Sequence, residues 1–328
     1  MRRRSLCRMT AEAPIGSVSP IVDLPVRHRM KASGNRMGYA VGSLVHLGQI
    51  LRSTQIRGRH VIDLGSQDVT IFDEGDAESL RRFIKELGGD PGALNAKLRG
   101  TFPIIIAAAE IFTAAGFVYR CCDVDRRPGT VYVDFNTLAF DQSLYGQFDL
   151  VMNAGTTEHL PNPLAAFFFM HYLCRKDGLL YNEVPLSGWF NHGLNNLTPK
   201  FWHTLRWMNS YKVISAMIKP VGVTPANDGN FGGKHLDFIE NLSDLEQRSA
   251  SIQIIFQKVE DRGFVPPFDA VLPETGDGKV VADLVWASLL PFVTLGSLSP
   301  AAAVASVNSF MSMQRLNYRM LVPMEYLP

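Results

Sequence analysis

Cysteine is scarce in this chain: four of 328 residues, at Cys7, the adjacent pair Cys121 and Cys122, and Cys174. Neighbours along a strand point to opposite faces and rarely bridge, and no Cys-x-x-Cys spacing occurs. That argues against zinc ribbons and disulfide scaffolds and leaves reduced core thiols, with a cytoplasmic setting as the expectation. An excess of either charge is also missing. A formal net charge of +1 provides no field to attract nucleic acid or an anionic membrane, so neither partner is expected. There is no long uninterrupted apolar run. The strongest stretch, Val280 to Leu298, is broken by Asp283, Pro291 and Gly296, and what lies between them is too short to span a bilayer. The basic opening MRRRSLCRM is followed by no sustained apolar segment before Pro14, so it is not read as a secretion signal. Repeats and low-complexity tracts are missing, and the Cys, His, Asp and Glu residues show no metal-ligand spacing, so no metal is expected.

What is present describes an ordinary globular protein, 46% hydrophobic and 19% charged. Its length suits one large α/β domain with additions, or two modest ones. Residues 1–36, rich in Arg, Pro and Ser, read as a loosely held lead-in. From Met37 to Ser53 apolar residues recur at helical spacing, although Gly38, Gly42 and Gly48 count against a helix. The stretch Val61 to Val69, VIDLGSQDV, is the one around which the chain is organised. An apolar strand start, an acid at the strand end (Asp63) and a glycine two residues on (Gly65) suit a first strand entering a ligand loop.

Further along, Asp76 can cap a helix running to Leu87, a second helical piece spans Gly92 to Leu98, and Pro103 opens a third through IIIAAAEIFTAAG to Gly116. Strands follow at Phe117–Cys122, Thr130–Val133, Phe148–Met152 and Leu179–Val184, with a helix from Pro163 to Arg175 before the last. Strands alternating with helices, most ending in a polar or acidic residue, predict a mostly parallel sheet with its functional edge on one side.

The series VIDLGSQDV, CCDVD, VDFN, FDLVMNAGTTEHLPNP and GLLYNEVP resembles, in order and spacing, the class I S-adenosylmethionine-dependent methyltransferases. That resemblance implies an α/β, Rossmann-like methyltransferase sheet of seven mostly parallel strands, one antiparallel, flanked by helices, with N-terminal and C-terminal helical additions. Tyr211–Ile218 and Ser251–Val259 match its last two strands. The implied organisation is a methyltransferase-like domain over residues 37–265, an insertion or lid at 70–102, and a C-terminal helical extension over 266–328 that covers the domain or forms a homodimer contact.

The same resemblance implies S-adenosylmethionine as cofactor. Asp63 matches the acid that anchors the loop or lies near the cofactor's ammonium, and Gly65 lets backbone approach the methionine portion. Asp123 matches the carboxylate that takes the ribose hydroxyls, with Asp125 as its competitor. Asp134 and Phe135 match the adenine-side pair, Phe135 being equally readable as core. Asn153, Ala154 and Gly155 fall where cofactor and acceptor pockets meet. The chain departs from the pattern at Ser66-Gln67-Asp68, where further glycines are usual. Asp68 there either binds the ammonium or merely ends the loop.

After the fifth strand, Gly188 to Trp202 gathers aromatics, amides and His192 into one loop, which suits a pocket for a polar acceptor. The stretch resembles the HGxxNxxPxF segment of methyltransferase-like proteins, some encoded with glycan-modifying enzymes. The expected reaction is methyl transfer to a small polar acceptor, oxygen before nitrogen, a sugar or glycan precursor included. His159 and His192 are the base candidates. A blander reading puts His159 against backbone at a helix cap and His192 inside the protein. A non-catalytic scaffold is the alternative function. A nicotinamide-dependent oxidoreductase is disfavoured, because the loop lacks the glycines that admit a pyrophosphate.

Overall fold

A computed structural model of the chain describes residues 38–54, 56, 58–125, 127, 129–136, 140–189, 192–220, 250–267, 278–313 and 319–321. The lead-in, Phe190 and Asn191 of the aromatic loop, and the stretch after Met313 to residue 318 lie outside the described residues. Residues 36–328 form a compact unit.

Its centre is β7 (Phe148–Ala154), whose seven residues FDLVMNA are all buried. Such a strand must be covered on both faces. It pairs in parallel with β2 (His60–Leu64) on one side and β8 (Cys174–Ser187) on the other. Beyond β2 come β5 (Val118–Asp123) and β6 (Thr130–Tyr132), and beyond β8 come β10 (Ala250–Gln257) and β9 (Lys212–Pro220). The seven-stranded order is β6-β5-β2-β7-β8-β10-β9, with β10 antiparallel to both its neighbours.

Alternation along the strands sends side chains into two cores. On one face, α4 (Pro163–Leu173) is apolar almost all round, Pro163 sits in its first turn, and eight of its residues are buried. A helix of this kind needs cover on its outer side too. The C-terminal α6 (Gly278–Thr294) and α7 (Pro300–Met313) supply it: the Phe168 and Phe292 rings stack 3.9 Å apart at 10°. No helix among the described residues is long and apolar enough to cross a membrane.

On the other face, α1 (Val41–Ser53), α2 (Glu74–Glu86) and α3 (Ala108–Ala114) bury Leu44, Leu47, Leu80, Phe83, Ile111 and Phe112. Gly48 has a packing reason: a Cβ there would come 2.8 Å from the Phe83 ring, so the glycine lets α1 and α2 approach closely. The 70–102 stretch, expected as a lid, is built as α2 and two short 3-10 turns. Its Leu80, Phe83, Ile84, Leu87, Leu94 and Leu98 are buried in this same core.

Three local expectations need correction. Residues 38–40 form a short strand, β1 (Gly38–Ala40), so the helix starts only at Val41. Asp73, not Asp76, is the N-cap of α2: it accepts the Asp76 N–H at 2.9 Å, while the Asp76 carboxylate accepts the Phe72 N–H at 2.9 Å. Ile104–Ala107 is a strand, β4, and the helix begins at Ala108. Three consecutive β-branched isoleucines favour the extended form, and β3 (Asp68–Ile71) offers an open edge that β4 completes antiparallel, in a small sheet ordered β1-β3-β4.

Lys258, just after β10, closes the α4 C-terminus. Its Nζ donates to the His171 and Cys174 carbonyls, each at 3.0 Å, with the side chain 4% exposed. Replacing it leaves those carbonyls buried without a donor. Lys258→Met should lower the unfolding free energy by about 2–4 kcal/mol, and the exposed Lys176→Met by almost nothing. Urea denaturation of both variants checks this.

Candidate functional site

At the carboxyl end of β2 the chain turns through Gly65, whose φ is +104°. A Cβ there would meet Gln67 Nε2 and Thr156 Oγ1, each at 2.6 Å, so only glycine fits. The Gly65 N–H donates to the Cys122 carbonyl at 2.8 Å, extending the ladder toward β5. The Ser66 N–H then donates to Asp123 Oδ2 at 2.8 Å, and the Ser66 hydroxyl donates to Asp125 Oδ1 at 2.8 Å. Asp123 Oδ1 accepts the Asp125 N–H at 3.2 Å. Arg127 ties Asp68 to Asp125, at 3.2 and 2.9 Å. The fold thus brings Gly65, Ser66, Asp68, Asp123 and Asp125 together. Gln67 and Thr156 join them: Gln67 Nε2 donates to the Thr156 hydroxyl at 3.2 Å, and that hydroxyl donates to the Leu64 carbonyl. Neither was a sequence candidate.

Other candidates are placed elsewhere. Asp63 is fully buried on the α1 side, where Tyr39 and Tyr119 donate their hydroxyls to its Oδ2 at 2.7 and 3.0 Å. It therefore meets no ligand directly; strand alternation turns it into the core. Burial pushes its carboxyl well above the ordinary value, against the lowering effect of the two tyrosines. Phe135 is 4% exposed and packs on Phe169, which makes it core. Asp134 accepts the Asn136 N–H at 2.9 Å. Asn153 is fully buried, donating to Thr157 Oγ1 and Asn182 Oδ1 at 3.0 Å and accepting the Thr157 N–H at 3.3 Å. It braces the end of β7 instead of lining a pocket. Gly155, with φ +72°, stands beside Glu158: a Cβ there would lie 3.4 Å from Oε1.

A second cluster grows from the next residues. Thr157–His159 form a 3-10 turn, and the loop after β8 is pinned onto it. Leu194 and Asn195 donate their N–H groups to the Glu158 carbonyl at 2.7 and 3.0 Å, and Asn195 Nδ2 donates to the Leu160 carbonyl at 2.6 Å. This docking brings the His159 and His192 rings to 5.2 Å, with Trp189 4.8 Å from His192 and anchored by its indole N–H on the Ala250 carbonyl. Both imidazoles are partly exposed, 33% and 23%, so neither is interior.

Between them lies Glu158, which the sequence matches to the strand-to-helix junction after the central strand without giving it a chemical role. Its side chain is 2% exposed, and among the described residues neither carboxylate oxygen has a hydrogen-bond partner. Burial raises its carboxyl to about 7. His159 is lowered by burial and by the neighbouring His192. The Glu-His pair after the β7 end, opposite a His-Gly in a loop, was the available signal. Chemically, the arrangement offers two partly exposed proton acceptors with a buried carboxylate behind them.

The placement of Asp63 can be tested by pH. Its folded pKa lies above the ordinary 3.8, so its contribution to stability is full below that value and is lost as pH rises through the folded one. Asp63→Asn removes this dependence. The stability difference, variant minus wild type, should rise as pH increases above about 4 in urea titrations, and a flat difference would return Asp63 to the surface.

No family model and no curated protein sequence matches the chain. Solved structures similar to it include the 1,6-didemethyltoxoflavin-N1-methyltransferase of Burkholderia thailandensis, at 14% identity and TM-score 0.35, covering 67% of this chain and 80% of that one. A SAM-dependent methyltransferase from Archaeoglobus fulgidus shares 13% identity at TM-score 0.34, covering 66% and 95%. The 16S rRNA (adenine(1408)-N(1))-methyltransferase of Catenulisporales acidiphilia shares 12% at 0.31, covering 65% and 92%. Counting only main-sheet strands, the observed order is 3-2-1-4-5-7-6 with the seventh antiparallel, and by that order the chain has the Rossmann-like fold of the class I methyltransferases.

Proposed function

We propose that this chain is an S-adenosylmethionine-dependent methyltransferase acting on a small polar acceptor, at oxygen before nitrogen, with a sugar or glycan precursor as the acceptor class. One observation carries the reading. The carboxyl ends of β2, β5 and β7 lie side by side, and there the Gly65–Asp68 loop, Asp123 and Asp125 meet the segment that runs through Thr156 to Glu158. Ligands of open α/β sheets bind at that edge. The residues present fit the cofactor. The Cβ-free Gly65 admits close backbone approach, and Asp123 spends one acceptor site on each oxygen, leaving capacity for two ribose hydroxyls.

In this reading Gly65 and Ser66 border the methionine portion, Asp68 the ammonium, Asp123 the ribose with Asp125 as its competitor, and Asp134 the adenine side. Gly155 separates the cofactor from the acceptor. Bound there, S-adenosylmethionine supplies an electrophilic methyl for in-line displacement. His192 or His159 takes the acceptor's proton as the new bond forms. A hydroxyl must shed its proton in the transfer, whereas a neutral amine already offers a lone pair, so a cluster of proton acceptors suits oxygen. Trp189, His192 and Asn195, aromatic and polar side by side, suit a sugar-like acceptor.

The second reading, a non-catalytic scaffold, has its own support. Gln67 and Ser66 bond within the loop and to the acids a cofactor would use. Calorimetry separates the two: S-adenosylmethionine or its demethylated product should bind and NAD should not, and no heat at millimolar ligand favours the scaffold.

Asp123→Ala should weaken cofactor binding by about 1.5–3 kcal/mol, roughly 10- to 150-fold in Kd. If Asp125→Ala has that effect while Asp123→Ala binds as wild type, the ribose belongs to Asp125. His192→Ala should lower turnover by roughly 10²–10⁴ and leave cofactor affinity unchanged, as read by steady-state kinetics beside calorimetry.

A further inference from the structure

We infer that Glu158, His159 and His192 form a binding site for a divalent first-row transition-metal ion, held by two imidazoles and one carboxylate. One ligand atom from each of the three lies within 4.8 Å of the others. His192 Nε2 is 3.7 Å and His159 Nε2 3.9 Å from Glu158 Oε1. These separations are too long for hydrogen bonds, which would draw the atoms to about 2.8 Å. They fall inside about 4.2 Å, twice the ~2.1 Å length of a bond from such an ion to nitrogen or oxygen. The groups converge on a common point instead of on one another, and bringing the widest pair, within 4.8 Å, to the ~3.4 Å separation of tetrahedral ligands takes up to about 1.4 Å.

Glu158 is the observation that asks for a ligand. The other deeply buried carboxylates each have donors. Asp63 has two tyrosines; Asp149 has the His60 N–H and Arg175; Glu183 has Lys219, Ser43, Tyr181 and Gln253. Among the described residues, Glu158 alone is buried with both oxygens lacking a hydrogen bond. Burying a carboxylate without donors costs several kcal/mol unless it is neutralised or meets a cation. The backbone also prepares the site without an ion. Leu194 and Asn195 hold the His192 loop on the Glu158 carbonyl, and a Cβ at Gly193 would come 2.8 Å from that carbonyl, so the close approach depends on glycine.

Two nitrogens and one oxygen suit Zn²⁺, Mn²⁺, Co²⁺ or Fe²⁺; Mg²⁺ and Ca²⁺ prefer oxygen throughout. Three protein ligands are also the number found where a metal keeps a position open for substrate or water. A hydroxyl bound there would ionise more readily beside the cation and pass its proton to solvent, because His159 and His192, as ligands through Nε2, would no longer serve as bases. That consequence rests on the methyl-transfer reading, whereas the ion site does not.

The test uses the full, tag-free chain stripped with a chelator and titrated with Zn²⁺ by calorimetry and with Co²⁺ by visible absorption. A single ion per chain should bind, with the d–d bands of nitrogen-ligated Co²⁺ and a raised melting temperature. Glu158→Gln and His192→Ala should each weaken binding at least tenfold and lose the bands, while circular dichroism stays that of wild type. Absence of uptake at millimolar ion, or uptake that both variants leave intact, overturns the site. S-adenosylmethionine is titrated in parallel. Ion binding without cofactor binding upholds the metal site and removes methyl transfer; cofactor binding without ion binding does the reverse.

Discussion

The molecule depends on one constraint, that β7 is buried along its whole length. A strand with no solvent face must lie mid-sheet and be covered twice, so the remaining elements sort into two layers around it. Ile62, Leu64 and Val151 point into the layer of α4, α6 and α7, and Val61, Leu150 and Met152 into that of α1, α2 and α3. The C-terminal helices follow from the same requirement, since an all-apolar α4 cannot be a surface helix.

Where β7 ends, buried polar atoms begin, and the way each is satisfied separates scaffold from site. Asn153 spends its amide on Thr157 and Asn182 and so holds the turn in place. Glu183 is raised by burial, but the Lys219 ammonium and the hydroxyls of Tyr181 and Ser43 outweigh this and leave it lowered, as a stable ion pair. Glu158 has two imidazoles beyond hydrogen-bonding distance, and burial outweighs the lowering effect of its own backbone amide, so it remains raised. The structural carboxylates each keep at least one oxygen hydrogen-bonded, and the lack of any such bond at both Glu158 oxygens marks a group kept for something that binds.

The loop at Gly65 has a different balance. Its backbone keeps the close approach that a nucleoside cofactor needs, while Ser66 and Gln67 add side-chain bonds that further glycines would not make. The loop is held in place by Asp123 and Asp125, residues with capacity left over for a ligand. Pre-organisation of this kind lowers the ordering cost of binding and narrows what can enter.

Order and type of the main elements were legible in the sequence, because strand alternation, Pro163 at a helix start and polar strand ends are signals carried within a few residues. The FDLVMNAGTTEHLPNP run announced both the central strand and the turn after it for that reason. Tertiary contacts decided the rest. Ile104–Ala107, already inclined to the extended form by its isoleucines, became a strand by pairing with the open edge of β3, and Asp63 went to the core because Tyr39 of β1 and Tyr119 of the neighbouring β5 meet it there. The meeting of Glu158 with His192 joins two segments far apart in the chain through backbone hydrogen bonds that no side-chain pattern encodes. Spacing along a sequence records local geometry, and a site assembled from two loops exists only once the sheet has set their separation.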